Sequence, residues 1–106
     1  MKTVFDIEEY IKKIKKSSNY FHTFINNENM AAGVLVLQPG EIDTQEPHES
    51  DEVYLILKGD GFLKINDIDH SIYENKLYFV GKKVPHYFHG NSKELTVLYF
   101  FGGPDT

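Results

Sequence analysis

The chain has 106 residues, no cysteine and a formal net charge of −5. That is one domain's length, and 41% apolar with 14% aromatic residues predicts a single packed core and excludes a disordered chain. The acidic balance argues against a nucleic-acid surface, the missing cysteines exclude disulfides, thiolate zinc sites and cysteine nucleophiles, and no apolar run approaches the roughly 20 residues of a membrane span.

The opening MKTVFDIEEY places acidic residues where a signal peptide would have its apolar run. With the lack of cysteine, the expectation is a cytoplasmic domain that meets a small molecule, with no membrane partner. Val4, Ile7, Ile11 and Ile14 recur at helical spacing, and Asp6 followed by Glu9 resembles a capping box. Lys12, Lys13, Lys15 and Lys16 would complement the dipole at the helix end. Residues 1–19 therefore form a helical segment expected to pack on a β-barrel of residues 20–106.

Short runs rich in branched and aromatic residues follow at 20–25, 31–37, 52–57, 61–65, 70–73, 77–80, 84–89 and 95–101. Gln38-Pro39-Gly40, Lys58-Gly59-Asp60-Gly61, Asn66-Asp67 and Gly90-Asn91-Ser92 break them. Strands at this spacing predict an all-β sandwich or barrel. Val53, Leu55 and Leu57 alternate with Tyr54 and Ile56, so both faces of that strand need a cover. One short helix shields only part of a sheet, and a homodimer is expected.

The stretch EPHESDEVYLILKG, from residue 46, runs a cluster of carboxylates and a histidine into an apolar strand. Residues two or four apart share a face of a strand, so Glu46, His48 and Glu52 point one way, with Tyr54 and Ile56 deeper along it. Glu49 and Asp51 have the opposite parity and are free to be solvated. Several oxygen and nitrogen donors on one face, above apolar residues, suit a divalent metal. In VPHYFHG, from residue 84, His86 is in phase with Val84 and Phe88 and is the leading ligand candidate from a neighbouring strand. The competing reading is a metal-free barrel whose polar face is met by water and hydrogen bonds.

Gly40, five residues, Glu46-Pro47-His48, three residues, Glu52, six residues and Gly59 resemble the first motif of the cupin family, with Glu46 where a histidine is usual. The second motif is degenerate: Asn75, Gly81, Lys83, His86 and Gly90 occupy its positions and only His86 is kept in type, with Asn91 one place late. The resemblance spans roughly residues 34–101. It implies a double-stranded β-helix, a jelly-roll barrel, holding one divalent metal ion (iron, manganese, nickel or zinc). Carried over residue by residue, His48, Glu52 and His86 take ligand positions, and Glu46 takes the fourth as a changed donor or acts as a general base.

Tyr54, Phe62, Tyr78, Phe88 and Phe100 are the aromatics that would line a substrate pocket, although core packing is the commoner use of such residues. His22, His70 and His89 read as surface or hydrogen-bonded histidines, and Lys82 and Lys83 as exposed turn residues that would steer an anion. The activity the resemblance implies is a dioxygenase-like reaction on a small polar or aromatic molecule. A metal-dependent isomerase or lyase and a non-catalytic ligand- or metal-binding module are the alternatives.

Overall fold

The computed structural model describes residues 1–105. Helix α1 (Ile7–Lys15) starts where Asp6, in extended backbone, accepts the Glu8 N–H on its side chain at 3.1 Å. This bond meets one of the donors that the first turn leaves free. Val4 lies ahead of the helix and is exposed, and Tyr10 joins Ile14 as the buried pair of the helical face.

Eight strands follow: β1 (Phe21–Asn26), β2 (Ala31–Leu37), β3 (Glu52–Lys58), β4 (Phe62–Ile65), β5 (Ile68–Ser71), β6 (Leu77–Val80), β7 (His86–His89) and β8 (Leu95–Phe101). They pair antiparallel in two sheets, ordered β1-β2-β8-β3-β6 and β5-β4-β7. The architecture is the expected all-β double-sheet jelly roll with a short N-terminal helix. The sheets face one another without hydrogen bonding into a closed barrel. Two strands are displaced from expectation: β5 begins at Ile68, directly after the Asn66-Asp67 turn, and β7 begins only at His86. Asn66 supplies the left-handed residue of that hairpin, with φ 55°.

Alternation along β3 sorts its side chains. Glu52, Tyr54 and Ile56 are buried inward, while Val53, Leu55 and Leu57 are half-buried on the outer face. Tyr54 and Ile56 join Leu35, Leu37, Leu63, Phe88, Leu95 and Val97 in the main core. Burial of each such side chain is worth about 1.5–3 kcal/mol. Strand β2 is buried at every position because α1 covers its outer face, Tyr10 and Ile14 packing with Val34 and Val36. Lys15 pairs with Glu94 at 3.1 Å and ties the helix end to the turn before β8.

The helix covers no more than that side of the sheet. Register places Phe100, Val53 and Phe79 in one outer row and Leu98, Leu55 and Leu77 in the next. Leu77 and Phe79 are 66% and 64% exposed. On the inner face, Gly33 lies opposite Tyr99, and a Cβ there would overlap the Tyr99 ring and hydroxyl. Tyr99 occupies the space that this missing side chain leaves.

Candidate metal centre

Three donors converge between the sheets. His48 comes from the loop before β3, Glu52 opens β3 and His86 opens β7. One ligand atom from each lies within 4.8 Å of the other two. Glu52 Oε1 is 3.0 Å from His86 Nε2 and 3.9 Å from His48 Nε2. The His48 ring leans on Phe101, with centroids 4.4 Å apart.

The loop is held against the turn that precedes β7. Lys83 N–H donates to the His48 carbonyl at 2.7 Å, and Lys82 N–H donates to Asp51 Oδ1 at 3.0 Å. Glu49 pairs with Lys83 at 3.7 Å on the surface. The half of the acidic cluster with the opposite parity thus serves to fasten the loop.

Hydrogen-bond accounting favours an ion. Glu52 is 2% exposed, and its carboxylate meets only His86 Nε2, at 3.0 Å, while Oε2 and His48 Nε2 are buried with no hydrogen-bond partner. Buried polar atoms are ordinarily paired, and an isolated buried carboxylate is costly. His86 Nδ1 lies 2.8 Å from the Val84 carbonyl, so it carries a hydrogen and leaves Nε2 facing the cluster. Burial opposes a charge on His86, but Glu52, the Val84 carbonyl and the charge of Asp43 outweigh it and raise its pKa above the ordinary value. Two imidazoles and a carboxylate are a donor set suited to a divalent transition metal. Donors sharing an ion at about 2.0–2.1 Å sit roughly 3–3.5 Å apart, and the cluster spans that range.

Glu46 stands outside this cluster, exposed on the wall of a cavity of ≈ 310 Å³ that His48 and Glu52 also line. Tyr20, Phe21, Tyr99 and Phe101 are its aromatic walls. The five aromatics named from the sequence are placed elsewhere. Phe62 and Phe100 face outward, at 39% and 36% exposure. Tyr78 bonds the Ser71 carbonyl through its hydroxyl, and Phe88 packs in the core edge-on to Tyr54. Tyr54 is fully buried, with its hydroxyl 2.9 Å from His86 Nε2. Of the remaining histidines, His89 pairs with Asp69 at 2.8 Å, His70 is exposed and His22 stacks on Tyr10.

Sequence reasoning missed a buried carboxylate behind the site. Asp43 accepts from Tyr20 Oη at 2.8 Å, Phe88 N–H at 2.9 Å and Gln45 Nε2 at 2.6 Å. Gln45 Oε1 in turn accepts the Tyr54 hydroxyl at 2.7 Å. The chain Asp43–Gln45–Tyr54–His86 runs from the loop after β2 to the candidate ligands. No local pattern marks Asp43, whose partners lie 23 and 45 residues away.

A family profile described as the cupin domain matches residues 33–102. The chain belongs to the cupin family. Its relatives include an uncharacterized protein of Streptomyces coelicolor, 28% identical over 102 residues, covering 96% of this chain and 97% of the relative. An RmlC-like cupin with a double-stranded β-helix fold from Methanocaldococcus jannaschii superposes with a TM-score of 0.73 at 22% identity, covering 79% of each chain. The protein BH2720 of Bacillus halodurans superposes with a TM-score of 0.78 at 13% identity, over 98% of this cupin and 83% of that chain.

The degenerate second motif of this cupin has a backbone explanation. Asn75 and Lys83, which stand where the motif carries glycine, have φ 67° and 63°. The left-handed turns survive although the residues that make them easy have been replaced.

Proposed function

We propose that this cupin is a metal-dependent enzyme of the dioxygenase type, acting on a small polar or aromatic molecule bound in the cavity beside His48 and Glu52. The observation that carries the reading is the convergence of two imidazoles and one carboxylate, with orphaned buried donor atoms, at the wall of that cavity. A two-histidine, one-carboxylate set leaves positions open for substrate, the arrangement of non-haem iron oxygenases. When bound, a divalent ion supplies Lewis acidity there and, if redox-active, electrons.

The chain's own residues supply the rest. Tyr20, Phe21, Tyr99 and Phe101 offer flat apolar walls for an aromatic or small carbon skeleton. Glu46 presents an acceptor on the same wall and takes the proton of a substrate hydroxyl as general base. His48 and Glu52 are screened from bulk water, which strengthens their hold on a charged group. Metal analysis of protein purified without added metal, followed by oxygen uptake with phenolic and carbonyl compounds, tests the reading. Stoichiometric iron and substrate-dependent uptake are expected. Tight metal with no turnover would make this cupin a binding module, and failure to bind any divalent ion would end the proposal.

We also propose a homodimer through the outer face of β8, β3 and β6. Two adjoining rows of three apolar side chains each run across β8, β3 and β6, and the outer edge of β6 has no strand partner among the described residues. A second copy offers the same rows and the same edge, the self-complementary surface that a two-fold interface requires. Light scattering should give twice the chain mass, and Phe79→Lys should halve it. A monomer at high micromolar concentration refutes the dimer.

A further inference from the structure

We infer that the Tyr54 hydroxyl oxygen is a fourth protein donor to the ion, in addition to His48, Glu52 and His86. The inference rests on the reading that this cluster holds a metal, and it concerns a residue that sequence spacing places only among the pocket aromatics.

Asp43 is a carboxylate and only accepts, so Gln45 presents its amide nitrogen to Asp43 Oδ2 at 2.6 Å. That fixes the Gln45 oxygen towards Tyr54 as an acceptor at 2.7 Å. The phenol has one hydrogen, and it is committed to Gln45. What Tyr54 Oη turns towards His86 Nε2, at 2.9 Å, is a lone pair.

Nδ1 of His86 already carries its hydrogen for the Val84 carbonyl, so an ion that binds this ring does so at Nε2, in place of any hydrogen held there. Glu52 Oε1 lies 3.0 Å from the same nitrogen, and the orphaned His48 Nε2 lies 3.9 Å from Glu52 Oε1. Without an ion a hydrogen on Nε2 serves Tyr54 Oη and Glu52 Oε1, and an ion that takes its place becomes the positive centre these atoms share. A cation that meets Glu52 and His86 therefore also meets Tyr54 Oη. The arrangement is rigid: Tyr54 is fully buried, paired within β3, braced edge-on by Phe88 at 4.9 Å and held from behind by Gln45.

The donor set is then two imidazoles, one carboxylate and one neutral phenol. Against a divalent ion it leaves a net charge of +1, the value that three imidazoles and one carboxylate would give. Glu46, exposed on the cavity wall, stays free to act on substrate.

The experiment uses the full chain loaded with zinc and, separately, with ferric iron. Zinc titration establishes whether the cluster binds an ion at one per chain, and no binding overturns both this inference and the reading beneath it. Ferric iron displaces a phenol hydrogen from a coordinated tyrosine and gives an intense visible charge-transfer band. The expected result is that band in the wild type, its loss in Tyr54→Phe with one iron per chain retained, and its persistence in Tyr20→Phe and Tyr99→Phe, the two tyrosines of the cavity wall. One iron per chain with no band in the wild type overturns the inference alone, as does a band that Tyr54→Phe leaves unchanged. Should Tyr54→Phe fail to fold by circular dichroism, a wild-type band that survives both cavity-tyrosine variants still supports the assignment, and a band lost in either overturns it.

Discussion

Replacing Glu52 by glutamine should change the metal-free and metal-loaded proteins in different ways. Glu52 is 2% exposed, and its carboxylate meets His86 Nε2 at 3.0 Å while Oε2 has no partner. In the metal-free protein the carboxylate is a burden as much as a support, because taking a charge out of water costs several kcal/mol. Glutamine keeps the size and removes the charge, and with it part of what raises the His86 pKa. The expected change in metal-free stability is about 1 kcal/mol or less.

With metal the balance reverses. An ion present at about 100 times its dissociation constant stabilises the wild type by about 2.7 kcal/mol. In a domain of this size that is a rise in melting temperature of roughly 11–22 °C. Losing the only charged donor should weaken binding at least about 100-fold, leaving about 0.4 kcal/mol, or roughly 2–3 °C, at the same concentration. Differential scanning calorimetry with and without zinc reads both numbers. An unchanged metal-induced shift in Glu52→Gln would refute the ligand assignment. A loss of about 3–5 kcal/mol in the metal-free protein would instead show a structural ion pair.

Asp43→Ala should be among the most damaging substitutions, since it leaves the buried Phe88 N–H and the Tyr20 and Gln45 groups unpaired at about 1–3 kcal/mol each. Urea denaturation should show a loss of at least about 3 kcal/mol. Lys83→Gly should stabilise by about 0.5–1 kcal/mol, because relief of the left-handed φ of 63° exceeds the added freedom of the unfolded chain, and the midpoint in urea should rise. Asp60 is held below its ordinary pKa, chiefly by the Ser92 hydroxyl and by the Ser92 N–H. A depressed carboxylate stabilises above its unfolded pKa and loses that effect as pH falls through the folded value. Asp60→Asn should therefore lower stability at neutral pH and converge with the wild type below the carboxylate range, read from melting temperatures against pH.

Much of the centre was legible before any coordinates. Motif spacing selects His48, Glu52 and His86, and alternation along β3 and β7 aims Glu52 and His86 inward, with Tyr54 and Phe88. The same logic fails where alternation is absent. Tyr99, Phe100 and Phe101 are all aromatic, so nothing local says that Phe100 faces out while its neighbours wall the cavity. Phe62 and Leu63 pose the same ambiguity at the start of β4, where only Leu63 enters the core. Glu46 lies in a loop ahead of β3, beyond the reach of strand parity, and Pro47 follows it. Asp43 acts through Tyr20 and Phe88, 23 and 45 residues away, contacts that exist only once the loop after β2 has folded over the sheet.

The stitching of the His48 loop to the turn at Lys82 and Lys83 has a kinetic corollary. Two backbone amides register the loop that bears one imidazole against the strand that bears the other. The ordering of the donors is then complete when the polypeptide folds, and an arriving ion meets a finished socket. Uptake should follow a single exponential whose rate climbs in proportion to ion concentration, with no plateau set by a slow rearrangement of the chain.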